Sequence, residues 1–155
     1  MTRALSIWIM FAIIAAGSAL IWTKANATPQ RLHIAKQYIG LKEGTRRANK
    51  AMGVNTRRVP WCGYYVAAVV RKSGRKPVKG YPSARSWERF GTPVKLAHIR
   101  PGDIVTVYSR RARSKRHVGI YSHRSQGKVC LIGGNQSNRV KVSCYSAKLV
   151  RAVRR

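Results

Sequence analysis

The sequence predicts an α+β domain built on an antiparallel sheet. Two observations carry that expectation. Apolar residues recur at helical spacing in segments up to Phe90, and from Pro101 onward they occur in short strand-like runs separated by polar or Gly-containing turns. Helices first and strands afterwards is the segregated order of α+β chains. The 155-residue length suits one domain with a real core, and neither an internal repeat nor a low-complexity tract interrupts it.

Residues 4–22 (ALSIWIMFAIIAAGSALIW) carry no charge and are long enough to span a bilayer. The A-N-A stretch, Ala25 to Ala27, fits the small-x-small pattern of a signal-peptidase site. Residues 1–27 are therefore expected to be a signal peptide or an N-terminal membrane anchor. Residues 28–155 would then be an exported domain of the periplasm or cell envelope. Lys24, Arg31, Lys36, Lys42, Arg46 and Arg47 follow the apolar run, and the positive-inside tendency would keep such a flank in the cytoplasm. An unprocessed protein with a cytoplasmic domain is the alternative.

Residues 28–30 (TPQ) read as a short linker. A first helix follows, with Leu32, Ala35, Tyr38 and Ile39 on one face and Gly40 or Gly44 to end it. Residues 44–60 are polar and basic and read as a loop. In PWCGYYVAAVVRKSG, Pro60 suits a helix that begins just after it. Cys62, Tyr65, Val66, Val69 and Val70 then share one side, Arg71 and Lys72 sit where cations suit the helix dipole, and Gly74 is placed to cap the end. Residues 74–82 are loop, and a short helix is expected over Ala84 to Phe90. PGD is a turn. The runs IVTVY, HVGIY, KVCLIGG, RVKVSCY and KLVRAV supply the strands.

Lys and Arg number 32 against three acids, Glu43, Glu88 and Asp103, for a formal charge of +29. Such a chain attracts polyanions over long range at low salt. Charge does not choose among nucleic acid, anionic lipid and anionic wall polymers. The strongest basic runs lack the interleaved aromatics of nucleic-acid platforms, so no specific nucleic acid is expected.

Cys62 is the first candidate for chemistry. A thiol at a helix N-terminus feels the positive end of the dipole and free backbone N–H groups, which lower its pKa and make the sulfur a nucleophile. The competing account is a small buried residue packed beside Trp61. A hairpin centred near Ser137 puts Cys130 opposite Cys144, a possible disulfide that leaves Cys62 as the free thiol. A nucleophilic thiol needs a base. Of His33, His98, His117 and His123, His117 opens the strand HVGIY and leads the candidates. The base needs an orienting group. Asp103 and Glu88 read as turn and surface residues, which leaves the amides Asn135 and Gln136 of the GGNQSN turn.

LKEGTRRAN, PWCGYYVAAVV, SARSW, PGDIVTVY, HVGIY and LIGGNQSNRVKVSCY, in that order, resemble the papain-like peptidoglycan hydrolases of the CHAP and NlpC type. The match is nearest to a small bacterial and phage subgroup with a WC box and a GGNQS turn, and runs from about Gly40 to Arg154. The resemblance implies a papain-like fold with the nucleophile at the N-terminus of a central helix packed on an antiparallel sheet. It also implies Cys62 as nucleophile, His117 as base and Asn135 as the polar third residue. Two departures stand out. Gly133 occupies a position where many CHAP domains carry Glu, and Trp61 one where NlpC-type members often carry Asp.

The implied activity is amide hydrolysis in wall stem peptides through a thioester, by an endopeptidase or an N-acetylmuramoyl-L-alanine amidase. Neither metal nor cofactor is expected. The expected partners are peptidoglycan and anionic envelope polymers or lipids, engaged by a monomer. The resemblance leaves open a phage lysis enzyme or a host remodelling enzyme. The rival readings are a basic membrane-associated polyanion-binding protein and an inactive wall-binding module.

Overall fold

The computed structural model describes residues 28–110 and 115–155. The apolar run and the A-N-A site lie outside the described residues, as do residues 111–114 of the basic loop before His117. Among the described residues no helix is long and apolar enough to cross a membrane.

Among the described residues three α-helices precede the sheet. The first, α1, covers residues 28–36, so TPQ is its opening turn rather than a linker. The reason is tertiary. Arg31 is fully buried, and its Nε donates to the Gly102 carbonyl at 2.9 Å while Nη2 donates to Thr28 Oγ1 at 3.0 Å. Helix α1 buries Ile34 and Ala35, and the chain turns away before Ile39, which is 49% exposed instead of facing the core.

The segment expected to be a loop contains a second helix, α2 (Arg46–Met52). Thr45 caps it by accepting from Ala48 N–H, and Gly53 ends it at φ 66 with its N–H on the Asn49 carbonyl. Two side chains, Ala48 and Met52, are buried, enough to dock a short helix that would not persist alone. Asn49 Oδ1 then ties down the return loop through both N–H and hydroxyl of Thr56.

Helix α3 (Cys62–Lys72) is the central element, with buried residues almost all round it. It closes at Gly74, whose N–H reaches the Arg71 carbonyl while Arg75 N–H reaches Val70, the paired bonds of a Schellman ending. A 3-10 turn, Ala84–Arg89, follows and buries Trp87.

The five strands are β1 (Ile104–Tyr108), β2 (Arg116–Ser125), β3 (Lys128–Gly133), β4 (Lys141–Tyr145) and β5 (Val150–Arg154). They form one sheet in the order β4-β3-β2-β1-β5, with every neighbour antiparallel. Side chains alternate between its faces. Ile104, Val118, Ile120 and Ile132 join the core under the helices, while Val105, Val107, Tyr121, Val129, Leu131 and Val153 make a second cluster. Strand β4 is an edge. It pairs with β3 in a register that sets Cys130 against Cys144 and Val129 against Tyr145, and a disulfide joins the two cysteines.

Candidate active site

Cys62 is the first residue of α3, and Trp61 before it makes no side-chain cap bond. The first-turn N–H groups therefore have no helical partner. Trp61 is fully buried and anchored, its Nε1 donating to Glu43 Oε2 at 2.8 Å. This anchor fixes the chain direction into the helix and so the place of the sulfur.

The Cys62 sulfur lies against the backbone N–H groups of Val118, Gly63 and Cys62 itself, all of which favour thiolate. Burial is the larger influence, and it pushes the thiol above its ordinary value. The lowered thiol expected from the helix end is thus reversed. The N–H groups are present, but only 8% of the residue meets solvent and desolvation opposes charge more strongly.

His117 is the second residue of β2, one residue before the Val118 N–H that faces the sulfur, and is 8% exposed. Burial pushes its imidazole down to about 4, partly offset by the Gln136 side chain. Thiol and imidazole are both neutral at neutral pH. His33, His98 and His123 are exposed and far from this arrangement in role: His33 pairs with Gln37, and His123 with Ser122.

The Nε2 edge of His117 faces Gly133, where a Cβ would come within 2.7 Å of it. Nδ1 is the ring nitrogen that this contact leaves clear. The same Cβ would lie 3.0 Å from the Gln136 amide, so Gln136 fills the space that a side chain at 133 would take. Its Nε2 donates to the carbonyls of Gly133 and Lys141, and its Oε1 accepts from Tyr145 Oη at 2.7 Å. With both amide protons committed, the oxygen is the end turned to Tyr145 and His117.

Asn135, the expected third residue, lies in the turn after β3. It is half-buried at φ 58, a conformation Asn tolerates, and the turn it makes sends Gln136 back over Gly133. Gln136, not Asn135, is the amide beside His117. Tyr145 was not singled out by sequence reasoning. Its ring lies 5.9 Å from that of His117, tilted by 31°. The register of Cys130 against Cys144, which puts residue 145 opposite Val129, was the signal available for it.

The three carboxylates are engaged elsewhere. Glu43 holds Trp61, Glu88 holds Arg116 at 2.6 Å, and Asp103 is gripped through both oxygens by Arg155. Among the described residues no three His, Cys, Asp or Glu side chains converge as a metal site would require.

No family model and no curated protein sequence matches the chain. Solved structures do. The hypothetical invasion protein of Mycobacterium tuberculosis superposes with a TM-score of 0.58 at 18% identity, over 87% of this chain and 64% of that one. The P60 domain of an M. avium paratuberculosis antigen gives 0.56 at 12% identity, over 88% of this chain and 98% of that one. RipD of M. tuberculosis, described as a non-catalytic NlpC/p60 domain protein adapted to peptidoglycan binding, gives 0.52 at 18% identity, over 83% and 96%. The chain thus spans about two-thirds (64%) of the first of these and nearly all of the other two. At these identities the likeness is one of architecture: the chain has the α+β, papain-like fold of NlpC/P60 domains.

Proposed function

We propose that the chain is a cysteine hydrolase of peptidoglycan stem peptides, with Cys62 as nucleophile and His117 as base. The observation that carries this reading is a free, buried thiol at the start of α3 lying against the Val118 N–H of β2, with the buried imidazole of His117 on the residue just before. In the reaction, the Sγ–H proton passes to His117 Nδ1 as sulfur attacks the amide carbonyl. The N–H of Cys62 at the helix start stabilises the oxyanion. The imidazolium protonates the leaving amine as the C–N bond breaks. His117 then deprotonates a water that attacks the thioester, and the proton returns to sulfur as C–S breaks. Because the resting pair is neutral, His117 acts as a general base during attack rather than as the partner of a standing thiolate.

The third role falls to the GGNQSN turn. Gln136 is better placed for it than Asn135, since its oxygen faces the imidazole. The basic surface favours adsorption to the anionic envelope, and export by residues 1–27 would bring the domain there. Purified sacculi, incubated with the full chain and with Cys62→Ala, test the reading. Wild type should release soluble fragments and the variant none. Mass analysis of those fragments distinguishes endopeptidase from N-acetylmuramoyl-L-alanine amidase cleavage.

A second reading is a wall-binding module without activity. The deep burial of Cys62 and His117 favours it, as does the fold shared with RipD. Sacculi that retain the protein undigested, equally for wild type and Cys62→Ala, would establish it.

A further inference from the structure

We propose that Tyr145 is a positioning residue of this site: acting through Gln136, it holds the protonated nitrogen of His117 at Nε2, and the Cys130–Cys144 bridge keeps its strand in place for that task. The inference rests on the hydrolase reading for its activity readout, but not for its structural one.

The argument begins with an inventory of donors and acceptors. The Gln136 amide has two N–H donors, both used on the Gly133 and Lys141 carbonyls. Turning the amide over would set its oxygen against those two carbonyl oxygens, so the orientation is fixed. Its Oε1 carries two lone pairs. One accepts from Tyr145 Oη. The other is beside His117 Nε2, a buried nitrogen with no hydrogen bond of its own. An acceptor with a lone pair to spare next to a buried unpaired nitrogen favours the tautomer with hydrogen on Nε2. That tautomer leaves the Nδ1 lone pair for the Cys62 proton.

Tyr145 serves this arrangement in two ways. Its hydroxyl locates Oε1, and its ring, packed beside the imidazole, limits rotation of His117. The phenol remains a donor at any working pH, since burial and the nearby Cys62 push it up to about 12. Ser143 lies against the phenol oxygen on the same strand face.

Gln136, Tyr145 and the carbonyls that hold the amide belong to the β3–β4 hairpin, and among the described residues β4 has a strand on one side only. Strand β3 ends on Gly133 and the turn supplies Gln136, while β4 supplies the Lys141 carbonyl, Ser143 and Tyr145. At its far end the bridge joins Cys130, fully buried in β3, to Cys144, which is exposed and next to Tyr145. An edge strand frays unless something restrains it. Here the restraint is covalent, one residue from the phenol.

The test is the imidazole 15N spectrum of the full chain at pH 7.5, with the His117 signals identified by their loss in His117→Gln. Wild type should show one tautomer, with hydrogen on Nε2. Tyr145→Phe keeps the ring and removes the hydroxyl, and should give a mixture of tautomers with sacculus digestion slowed about three- to tenfold, the worth of one neutral hydrogen bond. Reducing the folded wild type with a phosphine should do the same without any need to refold a variant. A single Nε2–H tautomer in Tyr145→Phe overturns the role of the tyrosine, even if digestion slows. The same result in the reduced protein overturns the role of the bridge. If the tautomer responds as expected while wild type digests no sacculi, the positioning role stands and the hydrolase reading fails.

Discussion

The indole of Trp61 donates to the carboxylate of Glu43 across 2.8 Å, tying the residue before the candidate nucleophile to the loop between α1 and α2. Trp61 is completely buried, so its N–H has no recourse to water once the acceptor is gone. Glu43→Ala should cost about 1–3 kcal/mol, the penalty for an unsatisfied buried donor. Glu43→Gln keeps an acceptor in reach and should cost less than half as much. Urea denaturation of the two variants checks the difference. Equal losses would mean that the carboxylate charge, not its hydrogen bond, is what matters.

A buried neutral histidine makes stability depend on pH in a definite direction. His117 takes its proton near 6.5 when unfolded and near 4 in the fold. Between those values the unfolded chain binds a proton that the native state refuses. Stability is therefore unaffected above about pH 6.5 and falls as pH drops toward 4. The gap of roughly 2.5 units corresponds to a loss of about 3 kcal/mol. His117→Gln should lose less stability over the same window, measured by urea midpoints at pH 7, 5.5 and 4. Parallel curves for the two proteins would refute the buried-neutral assignment.

Desolvation of the sulfur should be visible as sluggish alkylation. With the Cys62 thiol raised above its ordinary value, little thiolate exists at pH 7.5. Iodoacetamide should then modify the native chain at least about tenfold more slowly than the urea-unfolded chain, where the thiol regains its usual pKa. The native rate should still be climbing above pH 9. A native rate that exceeds the unfolded one at pH 7.5 would restore the low-pKa thiolate that the helix end alone suggests.

How much of this was legible beforehand depended on whether the deciding contacts were local. Helix α3 announces itself through Pro60, a continuous apolar side and Gly74, and it lies where those signals set it. Helix α2 carries equally valid caps in Thr45 and Gly53, but Ala48 and Met52 are too small an apolar signal among basic residues. The early start of α1 depends on Arg31 reaching the Gly102 carbonyl, a partner 71 residues away. In the GGNQSN turn, Asn135 and Gln136 are both amides after a strand. Which one points inward is decided by backbone conformation, since the positive φ at Asn135 swings Gln136 over Gly133. The thiol shift failed for a related reason. The dipole and N–H groups can be read from helix position, whereas burial depends on strands that arrive half a chain later.

Gly133 offers the sharpest test of the site's packing, because its role is to be empty. Its own carbonyl accepts from Gln136, and a methyl there would sit 2.7 Å from His117 Nε2 and 3.0 Å from the Gln136 amide. Neither neighbour can simply swing aside. The Gln136 amide is held at three points, and the Tyr145 ring flanks the imidazole. Gly133→Ala should therefore cost about 1–3 kcal/mol through overpacking. Its effect on function should exceed its effect on folding, since the side chains it displaces are the base and its orienting amide. Digestion of sacculi by folded Gly133→Ala should fall at least about tenfold, consistent with the sensitivity of such reactions to small displacements. Gly127→Ala is the matched control, for Gly127 lies in the turn between β2 and β3 and has nothing within 4 Å of its would-be Cβ. Its positive φ of 71° carries a backbone penalty without touching the site. That variant should lose stability and keep its rate, and if Gly133→Ala behaved the same way, the crowding of His117 and Gln136 would have no bearing on catalysis.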